Sequence, residues 1–155
     1  MNNNPIGVYD SGFGGLSVWR EIHRRLPEES LLYLGDGKNC PYGGRSREEI
    51  TAFAREAVEC LVKEGVKMVV VGCNTATTAA VDALRSEWRD IPIVGLEPAV
   101  KPACLSSKTR RIAVLATAHS LQSDMFLNTA RRYASDVEVL KVEGRGFVEI
   151  GRAHV

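Results

Sequence analysis

Cys73 is the residue whose type and position in this sequence most strongly suggest chemistry. It lies in residues 69–75, Val-Val-Val-Gly-Cys-Asn-Thr, where an apolar strand is predicted to end and a helix to begin. The backbone N–H groups and the positive dipole end of a helix N-terminus favour the thiolate, which is the reactive form of cysteine. The pattern therefore predicts a reactive thiol, against the alternative that Cys73 is a small buried apolar residue, as free cysteines often are.

Three other polar segments also follow predicted strands. They are Asp10-Ser11, Gly35-Asp36 and the Thr-Ala-His-Ser segment that begins at Thr117. In α/β proteins with a parallel sheet, ligands bind beyond the carboxyl ends of the strands. The position that these segments share with Cys73 therefore predicts a site at that edge of the sheet.

Asp10 and Ser11 begin a glycine-rich turn, residues 10–15, for which the residues alone leave two interpretations open. Its backbone N–H groups could hold an anion at the start of the next helix, or Ser11 or Asp10 could simply cap that helix. The glycine spacing and the absence of a lysine match neither a Walker loop nor a dinucleotide-binding fingerprint. Because Asp10 would repel a phosphate, a carboxylate ligand with a basic or protonated group near Asp10 fits better.

The hydrophobic pattern alternates between strands and helices. Apolar runs predict strands at residues 6–9, 31–34, 67–71, 91–95, 111–115 and 137–142, with one helix between the last two. Ser46 and Glu49 have the spacing of a capping box that starts a helix. Strands joined by crossover helices predict an α/β fold, a parallel sheet with flanking helices on both faces.

Composition and charge exclude several classes of protein. The chain has 155 residues, enough for a real core, and a net charge of +1 with acids and bases interspersed, which argues against a nucleic-acid partner. No apolar run could span a membrane, and the start of the sequence predicts no signal peptide and hence a cytoplasmic protein. The four cysteines are then expected to be reduced, and their spacing predicts no metal site.

Taken together and in order, these motifs resemble glutamate racemases of the aspartate/glutamate racemase family. The similarity runs from about residue 5 to residue 148. The Asp-Ser-Gly turn at Asp10 and the Cys-Asn-Thr segment at Cys73 are specific to the wider family. The Pro-Tyr-Gly segment at Tyr42 and the Glu-Pro pair at Glu97 point to the glutamate branch.

The resemblance implies a cofactor-independent racemase that interconverts L- and D-glutamate and supplies D-glutamate for peptidoglycan. In that family two cysteines on opposite faces of the substrate act as thiolate base and thiol acid. Cys73 matches the first of them, and Asp10 matches an acidic residue that assists its proton transfer. Positions that bind the amino acid are matched by Ser11, Tyr42, Gly43, Asn74, Thr75 and Thr117.

The resemblance also implies an incomplete two-domain racemase fold. Residues 1–95 would form the first α/β domain, which carries Asp10 and Cys73, and residues 96–148 would begin the second. The second catalytic cysteine is expected in a Gly-Cys-Thr-His-like motif that this sequence lacks, and Cys60 and Cys104 are interpreted as structural. Residues 149–155 are hypothesised to be non-native, because one choice of codons for them reproduces a DNA sequencing adapter.

Two other functions stay open. One is racemisation of a related amino acid such as aspartate. The other is that of a non-catalytic fragment or binding protein, since some glutamate racemases regulate DNA gyrase. Formation of a homodimer also stays open.

Four expectations about the structure and activity of the chain follow. Asp10 and Cys73 are expected to lie adjacent at one sheet edge, and Cys73 to be the cysteine most sensitive to alkylation. The chain alone is expected to racemise negligibly and to expose apolar surface that favours association.

Overall fold

Strands and helices follow one another along the chain much as the apolar pattern predicts. The computed structural model describes residues 3–153, with no side chains described for residues 151–153. The predicted non-native tail therefore lies partly outside the described residues. The elements are β1 (Ile6–Asp10), α1 (Leu16–Arg25), β2 (Leu31–Gly35), α2 (Arg47–Lys63), β3 (Met68–Val71), α3 (Asn74–Glu87), β4 (Ile93–Gly95), α4 (Val100–Ser106), β5 (Arg111–Ala116), α5 (Ala118–Gln122), α6 (Asp124–Tyr133), β6 (Glu138–Glu143) and α7 (Phe147–Ala153).

Two helix starts show how local chemistry sets these bounds. The capping box predicted at Ser46 is present: the Glu49 N–H donates to Ser46 Oγ at 3.2 Å, and the Ser46 N–H donates to Glu49 Oε2 at 2.9 Å. The single helix predicted between β5 and β6 is two helices instead. Ser123 ends α5 and caps α6, where its hydroxyl accepts from the Phe126 N–H at 3.2 Å.

The chain divides into two compact units, residues 1–96 and residues 97–155. In the first unit four parallel strands lie in the order β2-β1-β3-β4, so that β1 pairs with β2 on one edge and with β3 on the other. This order places the carboxyl ends of β1, β2 and β3 side by side. The predicted α/β class, with parallel strands and flanking helices, is confirmed.

Both faces of the first sheet are covered by helices. On one face Ile6, Val8 and Val70 form a buried cluster against apolar side chains of α1. On the other face Gly7 lies directly beneath α2, because a Cβ added there would be 3.0 Å from a methyl carbon of Leu61. Helices α2 and α3 pack on each other above this face with buried apolar residues, which include Ala54, Val58, Ala80 and Leu84.

The second unit contains a smaller sheet. Strands β5 and β6 pair in parallel, with Arg111 opposite Glu138 and Ala116 opposite Glu143. One face of this pair packs against a buried cluster of Val100, Cys104, Leu121, Phe126 and Val137. Leu115, Leu140 and Val142 are exposed. The expected exposed apolar surface is therefore present, and the predicted cover of helices on both faces holds for the first unit alone.

Candidate active site

Two neighbouring strand ends bring Asp10 and Cys73 to the same edge of the first sheet, as predicted. Gly72 immediately precedes Cys73, and its N–H donates to the Tyr9 carbonyl at 2.7 Å. The Asp36 N–H donates to the Asp10 carbonyl at 2.9 Å. Asp10 is 6% exposed and Cys73 is 7% exposed. The two side chains are close enough for the charge of Asp10 to act on the thiol.

Cys73 caps the N-terminus of α3 with its sulfur atom. Its Sγ accepts from the Ala76 N–H at 3.4 Å, and the Ser11 hydroxyl lies 3.3 Å from the same atom. Burial raises the pKa of the Cys73 thiol, and the negative charge of Asp10 raises it further, while the hydrogen bonds from Ser11 and Ala76 oppose the rise. The sequence-based prediction that these surroundings favour the thiolate omitted burial and Asp10, both of which raise the pKa of the thiol.

The glycine-rich turn holds the Asp10 carboxylate in place. The Gly12 N–H donates to Asp10 Oδ2 at 2.9 Å, and the Tyr33 hydroxyl donates to the Gly12 carbonyl at 2.7 Å. A Cβ added to Gly15 would lie 2.6 Å from Asp10 Cβ, and one added to Gly35 would lie 2.5 Å from the Gly12 carbonyl oxygen. These glycines let the turn approach the strand ends closely, so they fix where the carboxylate lies.

Next to this turn, Tyr42 links Tyr9 to Asp36 in a chain of hydrogen bonds. The Tyr42 hydroxyl donates to Asp36 Oδ2 at 2.6 Å and lies 2.7 Å from the Tyr9 hydroxyl, which must then be the donor to Tyr42. Burial raises the pKa of both Tyr9 and Tyr42, so both stay neutral. Asp36 also accepts from the Asn39 amide at 2.9 Å. Both functions of the Tyr42 hydroxyl, donor and acceptor, are thus used within the protein.

We expect Tyr42→Phe to lower the free energy of unfolding by about 1–3 kcal/mol, because the buried Tyr9 hydroxyl loses its acceptor and Asp36 loses a donor. Urea unfolding measures the change. Tyr133→Phe is the matched control, since the Tyr133 hydroxyl makes no hydrogen bond to the part of the chain that is described. A change no larger than that of the control would show that the Tyr9–Tyr42–Asp36 chain contributes nothing to stability.

The remaining predicted site residues differ in where the structure places them. Asn74 is exposed and Thr75 buried at the first turn of α3, and Gly43 is half-buried in the loop after β2. These residues belong to the first unit, together with Asp10, Ser11 and Cys73. Thr117 belongs to the second unit, where it caps α5 by accepting from the Ser120 N–H at 3.4 Å.

Sequence reasoning assigned no role to Tyr9 or Tyr33, although both contact the groups at this edge. Burial raises the pKa of Tyr33, and the charge of Asp10 adds to the effect. A tyrosine within an apolar strand gives no sequence signal of its own. Asp36 did carry one, because it follows a predicted strand directly.

The Glu-Pro segment of the second unit lines a cavity of about 550 Å³. Glu97 accepts from the Thr129 hydroxyl at 3.3 Å, which ties the segment to α6. Lys101 and Arg132 each lie over the ring of Tyr133, at 5.1 Å and 5.4 Å from its centroid. The segment thus has packing partners within its own unit.

Residues 3–153 contain no cluster of three or more His, Cys, Asp or Glu side chains arranged to hold a metal ion. Among the same residues, no helix combines the length and the apolar character needed to cross a membrane.

Cys60, not Cys73, is expected to react first with iodoacetamide near neutral pH. Cys60 is exposed on α2, whereas Cys73 is buried and its thiol pKa is raised. This reverses the expectation drawn from the sequence. Mass-spectrometric mapping after limiting alkylation of the folded protein measures the order, and the urea-unfolded protein, in which both thiols are accessible, is the control. Faster labelling of Cys73 in the folded protein would show that its thiolate is stabilised after all.

Comparison with known proteins confirms the resemblance seen in the motifs. The family model described as Asp/Glu/Hydantoin racemase matches residues 6–153. The chain is 44% identical over 150 residues to the glutamate racemase of Clostridium acetobutylicum, covering 97% of this chain and 59% of that protein. It therefore spans little more than half the length of the curated relatives it matches.

Two solved structures extend the similarity to the fold. Escherichia coli glutamate racemase in complex with L-glutamate and the activator UDP-MurNAc-ala gives a TM-score of 0.90 at 31% identity, over 97% of this chain and 57% of that one. Glutamate racemase of Francisella tularensis in complex with D-glutamate gives 0.84 at 29% identity, over 99% of this chain and 57% of that one. Both enantiomers of glutamate are thus bound by proteins that share this fold.

Proposed function

Because this chain belongs to the Asp/Glu/Hydantoin racemase family, we propose that it supplies one catalytic half of a glutamate racemase. This isomerase would interconvert L- and D-glutamate without a cofactor. One observation carries the proposal: Asp10, Ser11 and Cys73 meet at neighbouring strand ends in a chain that is 44% identical to a glutamate racemase.

Cys73 is the proposed base for one face of the substrate. Its raised pKa makes the thiolate, once formed, a stronger base toward the weakly acidic Cα–H of an amino acid. The neighbouring Asp10 carboxylate is the proposed acceptor of the thiol proton. A positively charged α-ammonium group bound beside Asp10 would offset the carboxylate charge that now opposes thiolate formation.

The proposed proton balance needs two groups. The Cα–H bond breaks, its proton passes to the Cys73 thiolate, and the electron pair stays on the substrate as a carbanion. A second acid on the opposite face then donates a proton to the same carbon and forms the other enantiomer. We assign that acid to the part of the family fold that this chain does not span.

The proposed contacts to glutamate come from polar groups at the strand ends and the start of α3. The start of α3 is surrounded by the exposed Asn74 amide, the Ser11 hydroxyl and Thr75. The backbone N–H groups and the helix dipole at this N-terminus favour a carboxylate. Because the Tyr42 hydroxyl is fully used, Tyr42 and Gly43 would contribute backbone N–H groups instead. Thr117 is the proposed contribution of the second unit.

The product, D-glutamate, would serve peptidoglycan synthesis in the cytoplasm. Loss of the α-proton signal of L- and D-glutamate in heavy water, followed by proton NMR, tests the activity directly. Aspartate in a parallel sample tests the substrate. Faster exchange of aspartate would assign the chain to another branch of the family, and binding of glutamate with no exchange by a completed chain would favour a binding protein.

A further inference from the structure

The turn that follows Asp10 is held at Gly12 by hydrogen bonds to both backbone groups of that residue. The Gly12 N–H donates to Asp10 Oδ2 at 2.9 Å, and the Gly12 carbonyl accepts from the Tyr33 hydroxyl at 2.7 Å. Ser11 is held separately, since its hydroxyl and its backbone N–H both bond the Cys73 sulfur. The bonds at Gly12 therefore act chiefly on the Asp10 carboxylate.

Tyr33 is fixed on β2 by packing as well as by this hydrogen bond. Its ring packs against the buried cluster beneath α1. Because side chains two positions apart on a strand share a face, Tyr33 and Gly35 belong to the same face of the sheet. A Cβ added to Gly35 would lie 2.5 Å from the Gly12 carbonyl oxygen and 3.2 Å from Tyr33 Cε1. The missing side chain at Gly35 thus lets the Gly12 carbonyl reach the Tyr33 hydroxyl.

The Tyr33 phenol is a lasting donor in these surroundings. Burial raises its pKa, and the charges of Asp10 and Cys73 add to the effect, so the phenol keeps its proton near neutral pH. The titratable side chains that interact with Cys73 are Asp10 and Tyr9 on β1 and Tyr33 on β2. Because the raised pKa keeps Tyr9 neutral as well, Asp10 supplies the negative charge that acts on the Cys73 thiol.

We propose that Tyr33 is a positioning residue of the candidate active site, whose hydroxyl fixes the Asp10 carboxylate beside the Cys73 thiol through Gly12. Without this hydroxyl the Gly12 carbonyl would turn toward water, and the Gly12 N–H would lose its fixed direction toward Asp10. The carboxylate would then spend less time next to the thiol. The catalytic meaning of this positioning rests on the proposed function, but the positioning itself is measurable on Cys73 alone.

The pH dependence of Cys73 alkylation tests the positioning. Only the thiolate reacts with iodoacetamide, so the pH of half-maximal labelling, read from the Cys73 peptide by mass spectrometry, reports the thiol pKa. Tyr33→Phe keeps the ring and removes the hydroxyl. We expect this midpoint to fall by about 0.5 or more, because a displaced Asp10 no longer opposes the thiolate at close range. Looser packing alone would raise the labelling rate at every pH and leave the midpoint in place.

An Asp10→Asn chain separates this path from a direct effect of Tyr33 on Cys73. Asparagine keeps the shape of the side chain and removes its charge, so the midpoint should fall with this change alone. Adding Tyr33→Phe should then move it by less than about 0.3, since both changes remove the same interaction. Tyr133→Phe is the matched control and should keep the midpoint of the parent.

Three results would overturn the proposal. They are an unshifted midpoint in Tyr33→Phe, an equal shift in Tyr133→Phe, and a full further shift when Tyr33→Phe is added to Asp10→Asn. A fourth measurement needs no variant to fold: the Gly12 amide of the unmodified chain should be protected from hydrogen exchange, because it is bonded to Asp10. An unprotected Gly12 amide would also overturn the proposal.

Turnover separates the positioning from the proposed function. In this chain joined to the part of the Clostridium acetobutylicum racemase that it does not span, Tyr33→Phe should lower kcat by about tenfold, a share of the 10²–10⁴ that positioned acid–base groups contribute. Tyr133→Phe should not lower it. An unchanged kcat in an active Tyr33→Phe chain would overturn the catalytic meaning. A shifted midpoint without turnover by any joined chain, the parent included, would contradict the proposed function and support the positioning.

Discussion

A Cys73→Ala variant of a completed chain is expected to racemise glutamate at least about a hundredfold more slowly than its parent, since positioned acid–base groups contribute about 10²–10⁴ in rate. The completed chain is this chain joined to the part of the Clostridium acetobutylicum racemase that it does not span. Alanine cannot take the α-proton. Circular dichroism of the two enantiomers follows the rate, and proton NMR in heavy water follows exchange.

Three controls make this result specific to Cys73. Cys60→Ala should leave the rate unchanged, because Cys60 is exposed on α2 and contacts none of the groups at the strand ends. Purified with pyridoxal phosphate and metals removed, the completed parent should keep its activity. The chain alone should racemise negligibly, because one base without a positioned proton donor on the opposite face cannot complete the conversion to the other enantiomer. Turnover by the Cys73→Ala variant or by the chain alone would show that the roles assigned to Cys73 and to the second half are wrong.

Much of the fold could be predicted because its signals are local or follow general rules of topology. Apolar runs located all six strands to within about two residues, and Ser46 and Glu49 located the start of α2. The adjacency of Asp10 and Cys73 followed from a rule about parallel sheets and needed no knowledge of side-chain packing.

The features that could not be predicted depend on packing or on which strands share a sheet. The thiol pKa of Cys73 depends on burial and on the charge of Asp10, neither of which its own segment reveals. Thr117 follows a strand of the second sheet, so the rule about strand ends of one sheet does not apply to it together with Cys73, and its part in the site stays a prediction. Cys60 is the exception, because it lies outside the apolar stripe of α2 and its exposure could have been predicted from helical spacing.

Gly15→Ala is expected to lower the free energy of unfolding by about 1–3 kcal/mol, the usual cost of forcing a methyl group into packed surroundings. The new Cβ would lie 2.6 Å from Asp10 Cβ, an atom attached directly to the backbone of β1 that no rotamer change can move. Gly15 has φ of −63°, a helical value that alanine adopts easily, so crowding alone causes the loss. Urea unfolding followed by tryptophan fluorescence measures it.

Gly14→Ala is the matched control for this crowding. Its added Cβ would lie 3.9 Å from Asp10 Oδ2, an ordinary contact, so the free energy of unfolding should change by less than about 0.5 kcal/mol. In the completed chain, Gly15→Ala should also slow racemisation, because a displaced Asp10 can no longer take the proton of Cys73, whereas Gly14→Ala should not. If both variants unfold and react alike, the turn does not set the position of Asp10. If only Gly15→Ala is impaired, the close approach of the turn to β1 fixes the carboxylate on which the proposed chemistry of Cys73 depends.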